Sequence, residues 1–254
     1  MFMRVLFAGA AVAAAVAGAS AASAQTPESW TGFYLGGNLG VAWPSDTFTN
    51  FATAGGGTIV IPPSDIAAIS GPAIHTSSSG FTGGIEGGYN YQVGHFVIGV
   101  ETDIDALDTR ESLSRNFQSA LLIEPPIQAQ INERLKTSWM WTVRPRIGYA
   151  DGPWLVYLTG GFAMTDPNLN IKFSDTGPAA DTAIGASSNS RYGGTFGLGG
   201  AWKFTHNWSV KGEYLYSDFG RLTTIASSPD GFVTLSTKGS VNTNVFRVGA
   251  DYQF

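Results

Sequence analysis

Acid–base or metal chemistry in this chain would have to run through three histidines, His75, His95 and His206, because its 254 residues include no cysteine. A serine hydrolase needs a histidine that is held by a third group and reaches the nucleophile. His95 and His206 fall in short turns with no such partner nearby in sequence, and His75 opens the run HTSSSG (75–80). Serines in a low-complexity run beside glycine read as linker. No group of histidines and carboxylates has the spacing of metal ligands. None of the Gly-Gly pairs stands at a strand-to-helix junction, where a phosphate would bind. No catalytic, metal or cofactor site is therefore expected.

Ion pairing offers more. Glu101, Asp103 and Asp105 stand at alternate positions, as do Arg144 and Arg146, Lys211 and Glu213, and, four apart, Arg247 and Asp251. A spacing of two puts side chains on one face of a β-strand. Glu86, Lys136 and Lys203 share that parity in their own segments, which collects six acids and six bases on one face. With this phasing the opposite face carries no charge.

The elements that must position these charges show the same period. In FTGGIEGGYNYQV (81–93), Phe81, Ile85, Tyr89, Tyr91 and Val93 alternate with Thr82, Glu86, Asn90 and Gln92. Eight such segments begin at Phe33, Phe81, Phe96, Leu135, Trp154, Tyr192, Val210 and Phe246, and each reads as a strand. In the fourth, Leu135, Trp139, Trp141, Val143, Ile147 and Tyr149 are expected on the apolar face, opposite Lys136, Arg144 and Arg146. The fifth is apolar on both faces. Pro145 cannot donate a ladder hydrogen bond, so a bulge or local break is expected there. Tight turns of the Gly/Asn/Asp kind fall at 93–95, 151–153 and 205–207, and long polar connections at about 44–79, 107–134, 165–190 and 219–242.

The ends and the composition narrow the setting. Residues 1–24 read as a signal peptide, with Arg4, an apolar run and Ala22-Ser23-Ala24 at the cleavage site. The remaining 25–254 hold no run near the roughly 18 apolar residues of a spanning helix. Glycine at 33 of 254 residues is abundant, charged residues at 13% are scarce, and aromatics also reach 13%. Disordered chains have the opposite balance, and ordinary soluble surfaces carry about a quarter charged residues or more. With a formal charge of −5 and scattered cations, no basic stripe for nucleic acid exists.

Alternating short turns and long loops between an even number of strands is the layout of a bacterial outer-membrane barrel. Its charged face would then point into a lumen that eight strands leave just wide enough for side chains, where every buried charge needs a partner. Slipping the register by one would move Arg144 and Arg146 into lipid at roughly 2–4 kcal/mol each. Aromatics fall in two candidate girdles. Tyr89, Tyr91, Phe96, Tyr149, Trp154, Trp202, Trp208, Tyr252 and Phe254 lie near the tight turns, and Trp43, Phe81, Trp139, Phe162, Tyr192 and Tyr216 near the loops.

WTGFYLGGNLG (30–40), FTGGIEGGYNYQVGHFVIGVETDI (81–104), WTVRPRIGYA (141–150), GPWLVYLTGGFA (152–163), GGTFGLGGAWKF (193–204), NWSVKGEYLYSDFG (207–220) and FRVGADYQF (246–254) together resemble the small, porin-like outer-membrane barrels and surface antigens of alphaproteobacteria, relatives of the OmpA-type transmembrane domain. The resemblance implies an all-β fold, an eight-stranded antiparallel up-and-down transmembrane β-barrel. It also implies insertion into the outer-membrane bilayer by the outer-membrane assembly machinery, with Val248, Ala250, Tyr252 and Phe254 as C-terminal sorting strand. It brings no shared catalytic residues.

The expected role is structural and surface-exposed, in the cell envelope, with periplasmic termini and no peptidoglycan-binding domain appended. A small porin-like channel is the alternative. The lumen network of Glu86, Glu101, Asp103, Arg144, Arg146, Glu213 and Arg247 is expected to be a salt-bridged plug. Two apolar loop runs, TIVIPPSDIAAI (58–69) and ALLIEPPIQAQI (120–131), would form either a lid or a surface for a partner.

Overall fold

A computed structural model of the chain describes residues 29–54, 64, 67, 70, 74–76, 79–118, 128–176, 182–227 and 233–254. The expected signal peptide lies outside them, as does most of both apolar loop runs. The strands are β1 (Gly32–Pro44), β2 (Asp46–Ala54), β3 (Ile74–Thr76), β4 (Gly80–Val93), β5 (Phe96–Gln118), β6 (Gln128–Asp151), β7 (Trp154–Thr165), β8 (Asn168–Asp175), β9 (Thr182–Ser188), β10 (Arg191–Lys203), β11 (Trp208–Ser227) and β12 (Val233–Gln253).

Eight of these strands close a ring. The order β12-β1-β4-β5-β6-β7-β10-β11 returns to β12 through a ladder that includes Glu213↔Arg247, and every pair is antiparallel. Closure leaves no edge in the bilayer, where an unpaired backbone group has no water to turn to. The hairpins at Gly94 and Gly152 need a positive φ at their first turn residue, and glycine supplies it at φ 61° and 55°.

The four remaining strands extend the wall on the loop side. β2 takes over from β1 beside β12, and β8 takes over from β7 beside β6, where Arg134 pairs with Asn170. β9 pairs with β8 and meets β11 at Ser227↔Ile184. Much of what the sequence reads as long loops is therefore strand, and β5 and β6 reach 23 and 24 residues.

Outside the membrane the alternation turns over. Leu107, Ile131, Leu135, Leu169, Ile171, Phe173 and Leu222 pack inward as one buried cluster, because a wall standing in water hides its apolar face as a soluble sheet does. Two strands change phase to do this. On β6 the buried residues are Met140, Thr142, Arg144 and Arg146 toward the turns but Ile131, Glu133, Leu135 and Thr137 toward the loops. The ladder shifts register opposite this point, between Ala106 and Thr109. On β11 the inward set moves from Leu215, Ser217 and Phe219 to Leu222 and Thr224 across a shift at Asp218/Arg221. There Gly220 adopts φ 73° and its N–H donates to Asp218 Oδ1 at 2.8 Å. This corrects the sequence phasing: Leu135 is inside and Lys136 is exposed.

At Pro145 the β6–β7 ladder lapses between Val143↔Phe162 and Arg146↔Thr159 without losing register. The hydroxyl of Thr159 donates to the Pro145 carbonyl at 3.0 Å instead. The outer face of the ring carries exposed apolar residues, with Phe81, Leu39 and Ile85 each more than 60% exposed. Aromatic contacts band it at both ends. Trp154–Trp202, Trp208–Tyr252 and Tyr252–Phe254 lie at the turn side, and Trp141–Phe162, Phe162–Tyr192 and Phe196–Tyr216 at the loop side.

Candidate functional site

The barrel interior is where the charged residues meet. Glu86 comes from β4, Glu101, Asp103 and Asp105 from β5, Arg144 and Arg146 from β6, Lys211 and Glu213 from β11, and Arg247 from β12. Each sits at an inward position of its pleat, so one connected cluster gathers five carboxylates and four cations within 4 Å contacts.

Two arginines carry most of the links. Arg144 donates to Glu101 Oε1 at 2.7 Å, Asp103 Oδ2 at 2.6 Å and Glu213 Oε2 at 3.2 Å. Arg247 donates to Glu213 at 2.6 Å, Asp105 at 2.7 Å and Asp103 at 3.0 Å. Lys211 joins Glu86 to Glu101 at 2.9 and 2.7 Å. Arg146 donates to Glu101 Oε2 at 2.6 Å. Its guanidinium lies between the rings of Tyr34 and Tyr157, 4.8 Å from each centroid. A planar guanidinium stacks on aromatic faces while its edge stays free to donate.

Neutral groups from β1, β6 and β7 add further hydrogen bonds, while Glu86 Oε1, Asp103 Oδ1, Asp105 Oδ1 and the Nε of Arg144 and Arg146 are left without a hydrogen-bond partner among the described residues. Tyr34 donates to Glu101 at 2.8 Å, Tyr157 to Glu213 at 3.1 Å, Thr142 to Asp103 at 2.8 Å, and Asn38 to Glu86 at 3.3 Å. Glycine makes room for them: a Cβ on Gly88 would strike the Tyr34 hydroxyl, and one on Gly199 the Tyr157 ring. Arg144, Arg247, Glu86 and Glu101 are all at most 1% exposed.

This layer is closed on both sides. Toward the loops, Ala42, Met140, Ala163, Leu215 and Val245 begin the apolar cluster of the outer wall. Toward the turns, Trp30 lies across the mouth. Its N–H meets Gln92 Oε1 at 2.8 Å, its indole faces the Lys203 ammonium at 4.9 Å, and Lys203 donates to Ser29 O at 2.6 Å. Gln253 donates to Thr31 O at 2.7 Å.

All seven residues read as a lumen network, Glu86, Glu101, Asp103, Arg144, Arg146, Glu213 and Arg247, stand in this cluster, with Asp105 and Lys211 beside them. Lys203 and Asp251 are buried nearer the turns, and Lys136 is outside. Sequence reading passed over Tyr34, Tyr157 and Trp30. Tyr34 shares the polar parity of its strand, a usable signal, whereas Tyr157 is hidden in a strand apolar on both faces. Val248, Ala250, Tyr252 and Phe254 share the outward face of β12 and its end.

Of the three histidines, His95 is held against the wall, and the side chain of His75 lies outside the described residues. His95 stacks on Tyr149 at 5.2 Å, and its Nδ1 donates to Ala150 O at 2.9 Å. Among the described residues no group of three His, Cys, Asp or Glu could hold a metal ion.

Residues 11–254 match the family model described as the outer membrane protein beta-barrel domain. The chain belongs to that family. Within the outer-membrane barrel family it is similar to the 31 kDa outer-membrane immunogenic protein of Brucella melitensis, 30% identical over 89% of this chain and 84% of that one. It is also similar to the 22 kDa outer membrane protein of Rhizobium leguminosarum bv. viciae, 32% identical over 75% of this chain and 65% of that one. Among solved structures, OprG from Pseudomonas aeruginosa aligns with 88% of this chain and 96% of its own, at 14% identity and a TM-score of 0.48. The protein is an integral protein of the cell outer membrane with a surface and envelope role, and its eight-stranded ring spans the bilayer.

Proposed function

We propose that this barrel is a closed wall element, displaying its outer strands at the surface and conducting no solute. The observation that carries the reading is the filled interior: Trp30, the nine-residue charge cluster and the apolar cluster follow one another along the axis, all nearly inaccessible. A conducting lumen needs water along its length, and ions crossing this one would have to part buried pairs. Planar-bilayer recording of the refolded protein tests it. Silence is expected, and steady steps of one reproducible size would establish a small porin instead.

The reading is non-catalytic, in keeping with the commitment of His95 to a backbone carbonyl. The wall beyond the membrane is the part open to surface partners, and the name of the Brucella relative, an immunogenic protein, fits exposure of that part. Delivery is assigned to the outer-membrane assembly machinery through Val248, Ala250, Tyr252 and Phe254. Deleting Phe254 is expected to lower the amount of folded barrel in the outer membrane of cells severalfold while refolding into detergent proceeds as before. Equal loss in both settings would make the residue merely structural.

A further inference from the structure

Exposed cations are distributed unevenly over the outside of the barrel. Among the described residues no Lys or Arg is exposed at the turn end. At the loop end β5, β6 and β8 present Arg110, Lys136, Arg134 and Lys172 outward. Arg110 and Lys136 are direct cross-strand partners. Arg134 follows Lys136 on the same face, and Lys172 pairs with Asn132. Like charges set opposite each other repel, and among the described ion pairs one exposed acid answers them, Asp108, 3.0 Å from Arg110. Arg134, Lys136 and Lys172 make no ion pair among the described residues.

The wall is dented between these cations. A groove of about 500 Å³ is lined by Ser112, Ser114, Asn132, Asn170, Arg134 and Lys172, with the exposed Ile184 beside them and the carboxylate of Glu133 buried beneath. Hydroxyls and amides interleaved with two cations suit a ligand that is both anionic and rich in hydroxyls. The groove's height points to the ligand's source. β6 runs from Trp141 in the loop-side aromatic band through Lys136 to Arg134. At about 3.3 Å per residue and a tilt near 40°, these two stand roughly 13 and 18 Å beyond Trp141. The headgroup layer of a bilayer is about 5–8 Å deep on each side, so these cations stand above it, at the level of the phosphorylated sugars that a glycolipid carries outward, and cations near a membrane surface are drawn to its anionic groups.

We infer that the outward face of β5, β6 and β8 holds the phosphorylated saccharide headgroup of the outer-leaflet glycolipid, lipopolysaccharide. Lys136 and Arg134 pair with its phosphates, while Ser112, Asn132 and Asn170 meet its sugar hydroxyls. This goes beyond the closed-wall reading and does not depend on it.

The test is equilibrium binding of fluorescent deep-rough lipopolysaccharide to the refolded full chain in detergent. The variant R134Q/K136Q/K172Q is expected to bind at least tenfold more weakly, and R221Q/K238Q, on the opposite wall, within twofold of the wild type. Wild-type protein is also expected to lose at least tenfold when the lipopolysaccharide is dephosphorylated. That comparison decides the matter if the triple variant fails to show the heat-modifiable mobility of a folded barrel. Undiminished binding by a folded triple variant, or equal binding of both lipid forms by the wild type, would overturn the inference. Tighter binding of a soluble sulfated glycan than of lipopolysaccharide would reassign the groove to a soluble partner.

Discussion

At the scale of residues, Arg247 and Arg146 separate two ways of stabilising a buried guanidinium. Arg247 bridges Glu213, Asp105 and Asp103, so its loss leaves the buried Asp105 without a cation and Glu213 and Asp103 with Arg144 as their one remaining ion-pair partner. Breaking a buried pair from one side costs about 3–5 kcal/mol. Arg146 has one carboxylate partner and two tyrosine faces, and Glu101 keeps Arg144 and Lys211 when Arg146 is gone. Arg247→Met is therefore expected to destabilise the folded barrel by about 3–5 kcal/mol and Arg146→Met by about half as much. Urea unfolding in phospholipid vesicles, followed by tryptophan fluorescence, checks the order, and a larger loss at Arg146 would mean that stacking outweighs charge pairing. Gly88→Ala belongs beside them: its new methyl displaces the Tyr34 hydroxyl from Glu101, with an expected cost of about 1–3 kcal/mol for overpacking. Unchanged stability in the same assay would show that Tyr34 can move aside freely.

At the scale of elements, the lapse at Pro145 is a backbone effect with a local remedy. The Pro145 carbonyl faces β7, where it accepts from Thr159, so an N–H at that position would face the same strand. Pro145→Val keeps an apolar side chain toward lipid and supplies the missing donor. It is expected to stabilise the barrel by about 0.5–1.5 kcal/mol, the net value of one hydrogen bond; a loss in urea unfolding would mean that the break relieves strain elsewhere in β6. Pro145 also shows what was legible in sequence. Its effect is a matter of covalent chemistry and can be read anywhere, as can the period-two faces of β1, β4 and β12, where one alternation holds throughout. The face of Leu135 and Lys136 was not legible. The parity of β6 changes beyond Thr137, and the strand leaves lipid for water over the same residues, so the same apolar side chain is wanted outside before that point and inside after it. The long reach of β11 was obscured for the same reason, whereas β5 keeps one parity and changes only in what it turns inward, from Asp105 to Leu107. Tyr157 escaped because a strand apolar on both faces gives no phase.

At the scale of the molecule, the interior is sealed in series, and that changes what opening it would require. A plug made of charges alone would yield to removal of Arg144 and Arg146. Here Met140 and Leu215, both fully buried, lie beyond the charge layer toward the loops, and Trp30 with Lys203 closes the turn side. Apolar constrictions exclude ions by dewetting even where a path exists. Arg144→Ala with Arg146→Ala is therefore expected to lower stability yet leave planar bilayers silent. Conductance is expected only when those changes are joined by Met140→Ser and Leu215→Ser, which put hydroxyls into the loop-side barrier, and by Trp30→Ala, which empties the turn-side one. Recording the two variants side by side distinguishes the barriers. Openings in the arginine variant alone would make the charge cluster the whole seal, and silence in both would mean that the apolar cluster above Leu215, with Ile131, Leu169 and Phe173, closes the axis unaided.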